Sequence, residues 1–289
     1  MGARSIQRTI AAVRTLEGAG FVVRRPFPVQ GLQQVDPFLL LDEMGPTDLR
    51  PGEARGAPDH PHRGFETVSY ILEGALEHQD SVGNRGRLGP GDVQWMTAGS
   101  GVVHSEMPAE EMVARGGRMH GFQVWVNLPR ADKMMRPRYQ DVPASRIPTA
   151  VSADGKVTVK VIAGEALGKA AVIDTRIPIQ YLHFILQEGA EVRQPVPAGH
   201  TACIYVFEGR GVVGEDRKMV QDGDLALLRD DGDHVLVRNE SHKRVQFLLL
   251  SAQPLKEPMV RHGPFVMNTW DEVEQAFHDF QSGRMGRIG

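Results

Sequence analysis

Short stretches of alternating or continuous apolar residues recur along the whole chain. They include "ETVSYIL" (66–72), "ALEHQ" (75–79), "DVQWM" (92–96), "HGFQVWVNL" (120–128), "VTVKVIAG" (157–164), "YLHFILQ" (181–187), "HVLVRN" (234–239) and "VQFLLLSA" (245–252). Each is rich in β-branched and aromatic side chains, and Gly, Pro and Asp turns such as "LGPGD" and "QDGD" separate them at the spacing of a sandwich or barrel. The chain therefore reads as all-β. The tail departs from this period: Trp270, Val273, Phe277 and Phe280 share one helical face, and Thr269 with Glu272 forms a capping box, which predicts a closing helix.

An internal repeat sets the architecture. "YILEG" at 70–74 returns as "YVFEG" at 205–209, and "PGDVQWM" at 90–96 returns loosely as "DGDLALL" at 222–228. Strand, tight turn, strand and Gly-Asp turn thus occur twice in the same order, which predicts two similar β domains. The irregular stretch 138–150 is the expected join, giving an N-terminal domain over 1–140 and a C-terminal domain with the helix over 141–289.

Composition narrows the partners. With 289 residues and 41% hydrophobic content the chain can bury a full core, and a formal net charge of -3 without a Lys/Arg stripe argues against direct nucleic acid binding. The single cysteine, Cys203, cannot form an internal disulfide, and the first residues lack a signal-type apolar stretch, so a cytoplasmic location is expected. No apolar run approaches the roughly 18 residues of a membrane span.

The chemistry concentrates in "DHPHRGFE" (59–66) and "GVVHSEM" (101–107). Residues two apart on a strand point to one side, so His60 with His62, and His104 with Glu106, each make a pincer that a closing barrel can bring together. Three imidazoles and a carboxylate suit Fe(II), Mn(II), Ni(II), Co(II), Cu(II) or Zn(II); a six-coordinate metal keeps two open positions, whereas Zn(II) could be closed and structural. The repeat is an internal control. Aligned by its offsets, it puts Pro195 and Pro197 at the places of His60 and His62, and Leu236 and Arg238 at those of His104 and Glu106. One metal per chain, in the first domain, follows.

"HPHRGFETVSYILEG", "GSGVVHSE", "DPFLLLDEMGP", "HGFQVWVNLP" and "HGPFVMNTWDEV" resemble the pirin family, two-domain proteins of the cupin superfamily, through essentially the whole chain. The resemblance implies two tandem cupin (jelly-roll) barrels. It also implies one metal, most often iron, on His60, His62, His104 and Glu106, and a metal-free second barrel. It further implies quercetin 2,3-dioxygenase activity, the opening of a flavonol by dioxygen with release of carbon monoxide. The second reading it carries is an iron-dependent, redox-sensing regulatory protein that acts on a protein partner.

Two departures from the general cupin pattern stand out. Thr67 occupies the usual glutamate position, which leaves the carboxylate role to Glu106, and "TAGSGVVHSE" replaces the shorter Pro-x-Gly-x-x-His spacing. Glu66 is retained as a supporting residue or base, beside the alternative of a solvated or salt-bridged strand carboxylate; Glu106 and Glu66 are the two expected catalytic carboxylates. His120 reads as pocket-lining or structural, Trp95, Met96 and Trp125 as core, and Cys203 as a buried inert thiol.

Overall fold

The computed structural model describes residues 2–288. It is mostly β, with a twelve-residue C-terminal helix, Trp270–Gln281, and a six-residue helix, Glu110–Arg115. The chain forms two compact units. One comprises 1–13, 26–37 and 145–254; the other comprises 14–25, 38–144 and 255–289.

In the unit built on 38–144, the strands Arg138–Val142, Val93–Thr97, Phe65–Glu73, Gly117–Asn127 and Phe38–Leu49 follow one another antiparallel in a larger sheet. A four-stranded sheet is ordered Ala57–His62, Val102–Pro108, Leu76–Asp80, Arg85–Leu88. The unit built on 145–254 repeats this plan. Its seven-stranded sheet centres on Thr201–Glu208, Val245–Ala252 and Ile179–Leu186, and its four-stranded sheet is ordered Glu191–Pro195, His234–Arg238, Arg210–Val213, Lys218–Gln221. Both units are jelly-roll barrels, as the family resemblance implied, and they are the two similar β domains of the repeat.

Two cuts differ from the sequence expectation. The mid-chain junction at Ala144 and Ser145 lies inside the irregular stretch, but the units exchange their ends. The strand Ile6–Ala11 pairs with Asp224–Leu228 and so belongs with the C-terminal barrel. The terminal helix belongs with the N-terminal one, where the Phe277 and Phe265 rings meet edge to face at 4.8 Å. Strand pairing across more than two hundred residues leaves no local pattern to read. The helix itself starts at the predicted capping box, with Thr269 Oγ1 accepting from the Glu272 amide. Its buried side is carried by Val273 and Ala276, however, and Trp270 and Phe280 are exposed, so the apolar face is narrower than the spacing suggested.

The two barrel interiors differ in kind. The C-terminal one is filled by Val159, Leu182, Phe184, Ile204, Phe247 and their neighbours, all buried. None of these packed side chains is a metal donor. Its strand register also refines the repeat. Pro195 pairs with His234 and Arg193 with Leu236 where the N-terminal barrel pairs His62 with Val102 and His60 with His104. Arg193 and Pro195 therefore stand at the histidine positions, two residues before those given by the sequence offset. Neither offers a metal donor. Among the described residues no helix is long and apolar enough to cross a membrane.

Candidate metal centre

The first pincer sits on the strand Ala57–His62, which is followed by a tight turn. Gly64 has φ +87°, and a Cβ there would stand 2.0 Å from the Val266 carbonyl oxygen, so only glycine fits. Buried Lys133 braces the turn: its Nζ donates to the carbonyls of Gly64 (2.7 Å) and Val266 (2.9 Å) and to Asn127 Oδ1 (2.6 Å). Arg63 donates to the Ser100 carbonyl at 2.7 Å and pairs with Asp279 of the terminal helix at 2.8 Å. The second pincer lies on the neighbouring antiparallel strand Val102–Pro108, with His104 directly opposite His60.

These pairings bring three rings together. Their centroids are 4.4 Å apart for His60 and His104, 4.7 Å for His60 and His62, and 5.0 Å for His62 and His104. One nitrogen from each lies within 4.8 Å of the others, and among the described residues this is the one such cluster of three. Carbonyl oxygens only accept, so the Pro58 carbonyl 2.7 Å from His60 Nδ1 places the proton there and leaves Nε2 bare. The Pro264 carbonyl, 3.4 Å from His62 Nδ1, does the same more weakly. His104 is 1% exposed, and among the described residues neither of its nitrogens has a hydrogen-bond partner.

Burial holds the His62 and His104 pKa values well below the ordinary imidazole value, and the neighbouring imidazoles lower both further. Both rings therefore stay neutral with lone pairs available. An unpartnered buried imidazole facing two others, each oriented by a backbone carbonyl, fits a divalent metal in donor type and in placement.

Glu106 is near this cluster but is not one of its three members. The strand Ala57–His62 carries an extra residue between the pairings His60 with His104 and Ala57 with Glu106, and such a bulge re-aims side chains. The Glu106 carboxylate accepts from Ser69 Oγ at 2.7 Å and from Gln123 Nε2 at 3.0 Å.

Glu66 takes the structural one of its two sequence readings. It stands three positions from Ser69 on the strand Phe65–Glu73, so it points to the opposite side of the sheet, where Thr97 Oγ1 donates to it at 2.5 Å. It is not a base for this site. Glu66→Gln is therefore expected to keep the parent's full metal content while losing about 1–3 kcal/mol of stability through its buried hydrogen bonds. Elemental analysis and urea unfolding check this, and a variant that loses its metal would return Glu66 to the site.

A cavity of about 260 Å³ opens beside the cluster, close to the small end of the roughly 300–1,000 Å³ usual for small-molecule sites. His60, His62, Glu106, Gln123 and Trp125 line it, as do Asp42 and Glu53, and Leu40, Met44, Leu76, Met112 and Met119 are among its apolar lining. Trp125 was assigned to the core by its alternation. Instead it lines the cavity, edge-on to His62 at 5.1 Å, with the Arg261 guanidinium 4.7 Å from its ring centroid. Ser69 and Gln123 were missed altogether. Their signal lay in the alternation: each is a polar residue on the inward-facing side of a strand, and the two are paired in register.

The other singled-out residues are structural. His120 bonds Glu43 at 2.9 Å, and Trp95 and Met96 are buried without exposed surface. Burial raises the Cys203 thiol pKa to about 12.

Residues 20–126 match the family model described as Pirin, and residues 181–286 match the Pirin C-terminal cupin domain. The chain is 44% identical to a pirin-like protein of Solanum lycopersicum over 283 residues, spanning 98% of this chain and 93% of that protein. It is 46% identical to human pirin over 273 residues, spanning 93% and 90%. A crystal structure of quercetin 2,3-dioxygenase from Acinetobacter baumannii superposes with a TM-score of 0.93 at 37% identity, covering 99% of this chain and all of that one. Two cupin barrels, both family models and relatives matched over nearly their whole length make this chain a member of the pirin family.

Proposed function

We propose that the protein is a metal-dependent dioxygenase of pirin type that opens a flavonol such as quercetin with dioxygen. The observation that carries this reading is the His104 ring, buried, neutral and, among the described residues, without a hydrogen-bond partner, facing His60 and His62 beside a cavity sized for a small organic molecule. In this reading His60, His62, His104 and Glu106 hold one divalent metal, Fe(II) first among the divalent ions that such donors accept. When bound, that metal supplies Lewis acidity toward the substrate's oxygens.

The remaining work falls to the chain. Leu40, Met44, Met112 and Met119 offer apolar and thioether surface to planar rings, and closing such a wall over the substrate keeps water out. Trp125 holds the His62 ring edge-on and fixes its plane. Glu106 takes the proton of the substrate's 3-hydroxyl. Its carboxylate already borders the cavity, and Ser69 and Gln123 keep it turned inward. The similarity to the Acinetobacter baumannii quercetin 2,3-dioxygenase supports the choice of flavonol.

The test is stoichiometric. Iron-loaded protein is expected to consume oxygen and release carbon monoxide in proportion to the quercetin lost, and to leave a flavone without the 3-hydroxyl untouched. Quercetin binding without oxygen uptake would reject the dioxygenase and favour the redox-sensing regulatory protein.

A further inference from the structure

Ser69 and Gln123 face each other across adjacent strands, and their side chains meet Glu106 in a closed triangle. Ser69 Oγ lies 2.7 Å from Glu106 Oε1 and 2.7 Å from Gln123 Oε1, and Gln123 Nε2 donates to Glu106 Oε2 at 3.0 Å. A serine hydroxyl has one proton, yet both oxygens facing it are acceptors while Glu106 is a carboxylate. The triangle is one donor short. Turning the amide over does not mend it, because the amide oxygen would then face the carboxylate Oε2 and another pair of acceptors would meet.

A metal ion that draws Glu106 Oε1 away from Ser69 removes the conflict. Oε1 then needs no proton from Ser69, Ser69 donates to Gln123 Oε1, and Gln123 keeps its bond to Oε2. Every polar atom of the triangle is matched in that arrangement.

We propose that Gln123, steered by Ser69, is a positioning residue that presents Glu106 Oε1 to the metal held by the three histidines. This rests on the ligand reading above and adds to it a pair of residues that set how strongly the carboxylate engages. Such supporting hydrogen bonds are commonly worth about 10–100-fold in metal affinity.

The experiment titrates Co(II) into metal-stripped protein and follows both affinity and the visible d–d absorption, which reports the coordination number. Gln123→Met, close in shape but without the amide, is expected to weaken Co(II) binding about 10–100-fold and to shift the absorption toward that of Glu106→Ala. Combined with Glu106→Ala, the same substitution should change nothing further, because its effect passes through the carboxylate. Ser69→Ala should give the same pattern at smaller amplitude, and it keeps the test decisive if methionine at 123 prevents folding. Parent-like affinity in both variants, or an equal loss whether or not Glu106 is present, would overturn the proposal. His62→Ala separates the two claims: if it retains Co(II), the ligand reading itself fails, and if it loses Co(II) while Gln123→Met does not, only the positioning role fails.

Discussion

Replacing His104 by leucine should lower divalent-metal affinity by more than the about 100-fold that loss of a supporting residue costs, while making the metal-free protein more stable. Both effects have one cause. His104 is 1% exposed and, among the described residues, neither ring nitrogen meets a hydrogen-bond partner, so without metal the ring carries buried polar atoms and no compensation. Such a group costs about 1–3 kcal/mol, and an apolar side chain of similar size recovers that amount. With metal present the same nitrogen has a partner, and leucine removes it. Equilibrium dialysis gives the first effect, and urea unfolding in chelator gives the second. A leucine variant that is less stable than the parent in chelator would show that the ring is held by contacts unrelated to a metal.

The fold was legible in the sequence because its signals are local. Alternation marked the strands, Thr269 and Glu272 marked the helix start, and two copies of one strand-turn-strand pattern marked two barrels. The three histidines were legible because each pincer is a two-residue spacing on a strand. What failed was non-local. The strand Ile6–Ala11 pairs with Asp224–Leu228, and nothing near residue 6 foretells a partner that far along the chain. Glu66 was left open between two roles for a different reason. Proximity in sequence to His62 suggested reach, but strand alternation turns its side chain to the other side of the sheet from Ser69, and counting from Ser69 would have shown it. Trp125 and Gln123 share one side of one strand. Reading the first as core hid the second, because alternate residues of one strand face the same space, and here that space is the cavity both line.

Acid should destabilise the metal-free protein through the same rings. Burial, reinforced by the neighbouring imidazoles, holds His62 and His104 well below the ordinary value of 6.5 in the folded state, whereas the unfolded chain titrates near that value. Above pH 6.5 neither state carries these protons, and the two rings contribute no pH dependence. As the pH falls below 6.5 the unfolded chain takes up a proton on each ring and the folded chain does not, so unfolding is favoured. The slope approaches about 1.4 kcal/mol per pH unit for each ring, or about twice that for the pair. His104→Leu removes one of the two, so subtracting its stability curve from the parent's isolates a single ring, with carboxylates and surface histidines common to both. Urea unfolding in chelator from pH 7.5 down to 5.5 should give parent and variant curves that run parallel above pH 6.5 and diverge below it, the parent falling faster. Curves that stay parallel throughout would mean that His104 takes up its proton in the folded state as easily as in water, against the burial and the neighbouring imidazoles that disfavour its charged form.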